Sequence, residues 1–134
     1  MELSAELQRV VLEQRLGFVA TVTADGRPNQ SPKGTVRIWD DQRLVFADLA
    51  PPATIESLAT NPHVEVNVVD PIVRKGFRFK GTAAVYTSGN MFGRGLQILR
   101  HYDELYRRRP RYSQQSGRRQ VILLRAYRGC RYIS

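Results

Sequence analysis

One cysteine and two histidines are all that this 134-residue chain holds of the residues that most often build disulfides, metal centres and acid-base machinery. A lone Cys130 makes no intrachain disulfide, and with His63 and His101 far apart it supplies too few ligands for a metal site. A reducing, cytoplasmic compartment is the matching expectation. No run of about 18 apolar residues occurs, so no membrane span is expected. The start, Met1 to Glu6, is acidic and amphipathic, unlike the basic, then apolar, opening of a signal peptide. Ser31, His63 and Asp70 assemble into a catalytic triad only on paper, since no nucleophile-elbow pattern surrounds Ser31. Neither standard glycine-rich phosphate loop is present. These absences remove the common hydrolytic and metal-dependent chemistries and leave a binding protein, or an enzyme whose chemistry resides in a cofactor.

Charge is present but unevenly placed. Residues 1–93 carry ten Lys/Arg and ten Asp/Glu, so the net +9 comes entirely from residues 94–134, with eleven Arg against Asp103 and Glu104. Such an excess attracts polyanions. A single-strand binder, however, interleaves aromatics with the basic residues of its strands. Here Arg107-Arg108-Arg109-Pro110-Arg111 straddles a helix end instead. The plainer reading is a solvated helix face followed by an arginine-rich loop, and nucleic acid is not the expected partner.

Periodicity sets the elements. Leu3, Leu7, Val10 and Val11 form one helical stripe, with Ser4 as N-cap and Gly17 as the stop. Phe18 to Thr23 reads as a strand, and Asp25-Gly26 supplies a hairpin turn. The return strand, Asn29 to Trp39, is interrupted by Ser31-Pro32-Lys33-Gly34. Proline removes a ladder donor and glycine admits a close neighbour, so this strand is an edge with a bulge or one that faces a ligand. Leu44 to Ala47 is a third strand, and Pro51-Pro52 stops it. Thr54 offers an N-cap for a short helix that Asn61-Pro62 closes. Val64, Val66 and Val68 alternate with polar residues. In the next strand, Phe77 and Phe79 alternate with Arg78 and Lys80. A helical period returns through Phe92, Leu96, Leu99 and Tyr106, with Tyr102 and Leu105 beside them, and Val121 to Leu124 is a closing strand.

These elements give one domain over 1–134. It comprises an N-terminal helix (1–16), barrel strands (17–87) with a short helix (54–60), a helix (91–108) and a closing strand (120–134). The expected architecture is a mainly β, six-stranded antiparallel barrel with peripheral helices. Ser31, Lys33 and Gly34 on the broken strand, the helix start at Thr54, and Arg74, Lys75, Arg78 and Lys80 could together hold an anionic ligand. Phe46, Phe77 or Trp39 would supply the apolar wall.

The order of segments narrows this further. Gly-Phe-Val-Ala-Thr-Val-Thr from Gly17, then Ala-Asp-Gly-Arg-Pro-Asn, resembles the opening of the pyridoxamine 5′-phosphate oxidase-like family of FMN-binding split barrels. The resemblance continues through Leu44 to Asp48, Thr54 to Pro62, Val64 to Val69, and Arg78-Phe79-Lys80-Gly81-Thr82-Ala83. It covers residues 5 to 86, with a weaker match for the last strand.

It implies a flavin lying along Ser31, Pro32, Lys33 and Gly34, then Phe46, Ala47 and Asp48, with its phosphate near Ala53 and Thr54. Lys75, Gly76 and Arg78 would approach from the second subunit of a homodimer. The family's strong form has Ser-Arg-Lys at the phosphate end, where this chain has Pro52-Ala53-Thr54, so Lys33, Lys75 or Arg78 would have to supply the missing cations. No equivalent of the oxidase's C-terminal substrate segment is evident, so vitamin B6 oxidation is not expected. The implied function is an FMN-binding flavoprotein, a small flavin-dependent oxidoreductase of unassigned substrate. The alternatives are a reductase using the deazaflavin F420, and a non-enzymatic flavin or anion-binding module with a basic C-terminal surface.

Overall fold

The structure is a computed structural model and describes residues 2–48, 53–105 and 120–133, with the side chains of 48, 102–105 and 126–133 outside that description. In chain order the elements are α1 (Ala5–Gln14), β1 (Gly17–Val22), β2 (Pro28–Lys33), β3 (Arg37–Ile38), β4 (Arg43–Asp48), α2 (Ala53–Thr60), β5 (His63–Asp70), β6 (Lys75–Tyr86), α3 (Gly89–Leu105) and β7 (Gln120–Ile133). Every strand pairing is antiparallel, in one curled sheet of order β2-β1-β5-β6-β7-β4-β3. The mainly β split-barrel architecture expected from the sequence is therefore present, with seven strands in place of six.

The extra strand has a local cause. The expected return strand Asn29 to Trp39 breaks after Lys33, and its halves lie at opposite ends of the strand order. Among the described residues β2 pairs only with β1, and β3 only with β4. Pro28 and Pro32 suit β2 to this edge, where the missing N–H groups leave no ladder bond unmade. One side chain then ties the link between β2 and β3 to β4. Thr35 Oγ1 donates to the Ala47 carbonyl and accepts from the Ala47 N–H, both at 3.0 Å. The threonine hydroxyl thus does what a further backbone pair of β3 and β4 would have done.

Helix boundaries follow the sequence closely, with two corrections. Ser4 does cap α1, its hydroxyl accepting from Leu7 N–H at 3.3 Å. The helix stops at Arg15 rather than Gly17. Arg15 takes the left-handed conformation (φ 54°) and its N–H reaches the Val11 carbonyl, while Gly17 already belongs to β1. α2 begins at Ala53, so Thr54 is an interior residue of the first turn and not its cap. The Asp25-Gly26 turn forms as expected, with Gly26 at φ 82°. Pro51-Pro52, Tyr106 and the Arg107–Arg111 cluster lie outside the described residues.

The sheet's inner face is the main core. Val19, Leu44, Phe46, Val66, Phe79, Ile122 and Leu124 are each fully buried there, closed over by Val10 and Val11 of α1. Burial of each such side chain contributes about 1.5–3 kcal/mol. A second cluster lies on the outer face. Trp39, Val45, Val121 and Leu123 are covered by Met91, Phe92, Leu96 and Ile98 of α3. Gly95 makes that approach possible, since a Cβ there would stand 2.5 Å from Val121 Cγ1. Arg94 lies over the Trp39 ring at 4.7 Å from its centroid, adding a cation–π contact at the same seam.

Candidate functional site

β2 is polar along its length, and its two faces differ. Asn29, Ser31 and Lys33 are half-buried and sit opposite Thr21, Val19 and Gly17, while Pro28, Gln30 and Pro32 are exposed. Asn29 Nδ2 donates to Thr21 Oγ1 at 3.1 Å. Ser31 Oγ is buried and, among the described residues, makes no hydrogen bond. A buried hydroxyl without a partner is costly in a folded protein and marks a place where a ligand or water can be accommodated. The Thr35–Ala47 bonds bring this end of β2, with Gly34, beside the end of β4. Gly34 and Ala47, which adjoin the two candidate segments, are thereby neighbours across this closure.

Arg37 is the residue that sequence reasoning passed over. It is only 2 % exposed, and its Nη1 donates to the carbonyls of Gly34 (3.1 Å) and Val36 (2.8 Å). A buried guanidinium needs such acceptors. Here they are the carbonyls of the break in the return strand, so Arg37 fixes the conformation of the Gly34–Val36 corner. The available signal was an arginine set among Val36, Ile38 and Trp39.

Other expected residues are placed less openly. Phe46 is fully buried in the main core and offers no surface to a ligand. Asp48 ends β4 opposite Gln120, and its side chain is outside the described set. Ala53 is exposed at the start of α2. Thr54 and Ser57 are each 2 % exposed, and Ser57 Oγ donates to the Ala53 carbonyl at 2.7 Å. The first turn of α2 contains Glu56 and no cation. The first turn of α2 therefore brings no cation of its own, and within this chain Lys33 is the candidate cation nearest the closure in sequence.

Lys75, Gly76 and Arg78 form a separate group on β6. Gly76 is buried opposite Val69, and Lys75 stands opposite Asp70 where the β5–β6 hairpin turns. Arg78 lies on the outer face. Register places Pro32, Phe18, Asn67 and Arg78 in one row across β2, β1, β5 and β6. Three strand spacings separate its ends, roughly 14 Å. Arg78 Nε is 3.3 Å from Glu65 Oε1, and Lys80 Nζ is 3.8 Å from Glu65 Oε2. Asn67 Oδ1, opposite Arg78 in the ladder, is buried without a partner among the described residues.

Elsewhere the chemistry is sparse. His63 and Asp70 begin and end β5, roughly 23 Å apart along an extended strand, so no triad forms with Ser31. Among the described residues no group of three or more His, Cys, Asp or Glu could hold a metal ion. Nor, among them, is any helix long and apolar enough to cross a membrane.

Comparison with known proteins agrees with this fold. The family model described as pyridoxamine 5′-phosphate oxidase matches residues 3–129. Among solved structures, HupZ of Group A Streptococcus is 25% identical, with 98% of this chain and 95% of that one aligned at a TM-score of 0.78. An F420 reductase is 21% identical over 90% and 93% of the two chains, at 0.68. HutZ, the heme storage protein of Vibrio cholerae, is 18% identical over 99% and 95%, at 0.70. Comparison with curated protein sequences gives no significant match.

Proposed function

Because the chain belongs to the pyridoxamine 5′-phosphate oxidase family, we propose that it is an FMN-binding flavoprotein, acting as a small flavin-dependent oxidoreductase. The observation that carries this reading is the unpartnered, buried Ser31 hydroxyl on the polar edge strand, beside the Thr35–Ala47 closure. It fits a ligand with both donors and acceptors, such as a ribityl chain. Bound there, a flavin supplies hydride or electron chemistry, which accords with the shortage of acid-base side chains. The protein's part is to bind and orient. Ser31 would meet the polar chain, Lys33 would stand in for the family cations absent from Pro52-Ala53-Thr54, and Arg37 would hold the corner on which both depend.

We propose further that two copies complete the site. Within one chain Lys75, Gly76 and Arg78 are strands away from Ser31 to Gly34, so a second copy would be needed to bring the two groups onto one ligand. The tip of the β5–β6 hairpin supports such a contact, since Ile72 is 88% and Val73 59% exposed. Analytical ultracentrifugation should give a dimer, and Ile72→Asp should shift it to monomer.

The deciding experiment is a visible-absorption titration of purified protein with FMN, repeated with the deazaflavin F420 and with hemin. Uptake of FMN at micromolar concentration, with the bands of oxidised flavin, is the expected result. Failure to take up FMN sinks the reading. Exclusive uptake of F420 would replace it with a deazaflavin reductase, the reading favoured by likeness to the F420 reductase fold. Lys33→Ala should weaken FMN about ten-fold, the scale of one charge-assisted contact.

A further inference from the structure

The half of the outer face that α3 leaves uncovered carries a small charge cluster, and its arrangement is specific. On the antiparallel β5–β6 ladder Glu65 stands directly opposite Lys80, and Arg78 stands opposite Asn67, one step along the same face. One carboxylate is therefore shared by two cations, Oε1 facing Arg78 and Oε2 facing Lys80. The three side chains are between 35% and 40% exposed. They are neither locked in the core nor fully solvated.

The contact between Glu65 and Arg78 is electrostatic without being a hydrogen bond. Arg78 Nε is buried and makes no hydrogen bond among the described residues, although it lies 3.3 Å from the carboxylate. Such a pair holds charge in place without saturating the donors. A phosphate, which offers three acceptor oxygens and up to two negative charges, can satisfy those donors better than Glu65 does. A neutral ligand cannot. Asn67 Oδ1, buried without a partner beside Arg78 in register, adds a further acceptor for Arg78 should the guanidinium leave Glu65.

We infer that Glu65 is a specificity-determining residue of this face, competing with the ligand for Arg78 and Lys80 so that only a ligand bearing a phosphate-like dianion displaces it. The inference rests on the proposed reading that this barrel takes a phosphate-bearing flavin and that Arg78 takes part in binding it. Glu65 selects the ligand's charge by opposing it, and Arg78 and Lys80 supply the attraction that remains.

The test compares wild type, Glu65→Gln, Glu65→Ala and the double variant Arg78→Gln/Lys80→Gln. FMN and riboflavin are titrated by flavin fluorescence, and inorganic tripolyphosphate by calorimetry, at two salt concentrations. Glu65→Gln should tighten FMN and tripolyphosphate about five-fold, the effect of one exposed charge at contact distance. Riboflavin binding should not change, so the FMN-to-riboflavin ratio rises, and the gain should shrink at high salt. In the double variant that ratio should fall below that of wild type. Glu65→Ala should reproduce Glu65→Gln, which guards against a folding defect in either. Unchanged ratios in both Glu65 variants, equal tightening of riboflavin and FMN, or absence of tripolyphosphate binding in every variant overturns the inference. If no variant binds either flavin yet Glu65→Gln still tightens tripolyphosphate, the flavin reading fails and the role of Glu65 stands.

Discussion

The outer face of the sheet is two surfaces made by the same strands. Where α3 lies over β4 and β7, that face is Trp39, Val45, Val121 and Leu123. Where β1, β5 and β6 run on beyond the helix, it is Glu65, Asn67, Arg78 and Lys80. β6 joins both, with Arg78 and Lys80 near its start and Tyr86 packed in the α3 cluster at its end. The difference shows what a covering helix does. A sheet face takes apolar residues only where something removes it from water, and elsewhere the same ladder carries charge.

That contrast can be broken by substitution, most strongly at neighbouring positions. Phe79→Ala empties a fully buried core position and should cost about 4 kcal/mol in urea unfolding. Arg78→Ala, one residue away on the opposite face, should cost under about 1 kcal/mol yet weaken FMN. Comparable losses of stability at the two positions would mean that the outer face is buried by a partner. Gly95→Leu should push α3 off Val121 at about 2 kcal/mol, with a change in Trp39 fluorescence that reports the loosened seam. Thr35→Val removes both bonds to Ala47 and should cost about 1–2 kcal/mol, with faster hydrogen exchange at the Ala47 amide.

The smallest expected effect depends on pH. Burial works against ionisation of Asp40, but the Arg43 hydrogen bond and charge, with the Gln42 N–H, outweigh it and hold the carboxyl below its ordinary value. Arg43 is correspondingly raised, first by its hydrogen bond to Asp40. A depressed carboxylate contributes stability above its unfolded pKa of about 3.9, and that stability is lost as pH falls through the folded value. Asp40→Asn should therefore lower the melting temperature slightly at neutral pH, with the difference shrinking as the pH falls below the unfolded carboxyl pKa and through the folded one. An equal effect at neutral and acidic pH would show that the charge is irrelevant and only the turn hydrogen bond matters.

The alternating strands were legible because burial on one face writes a period of two into the chain. Val64, Val66 and Val68, or Phe77 and Phe79 against Arg78 and Lys80, need no partner to be recognised. Ser4 was legible as a cap for a similar reason, since its bond to Leu7 is local. The site was legible only as a set of polar residues on a broken strand. Phe46 looked like a ligand wall and is core, and Thr54 looked like a cap and is buried within its helix. Arg37 was passed over because its acceptors, Gly34 and Val36, lie in a corner that no periodicity describes.

Sequence by itself settled that helices precede the first strand and precede the last, the pairing of apolar with inward positions, and the family to which the order of segments belongs. These follow from local propensity and burial period, which act over a few residues. Only the tertiary structure decided that Asn29 to Trp39 is two strands at opposite edges, with β3 paired to β4 and the link before it tied to Ala47 by one threonine hydroxyl. Only it placed Glu65 between Arg78 and Lys80. Both depend on which strands lie side by side, and strand adjacency is fixed by packing between residues far apart in the chain.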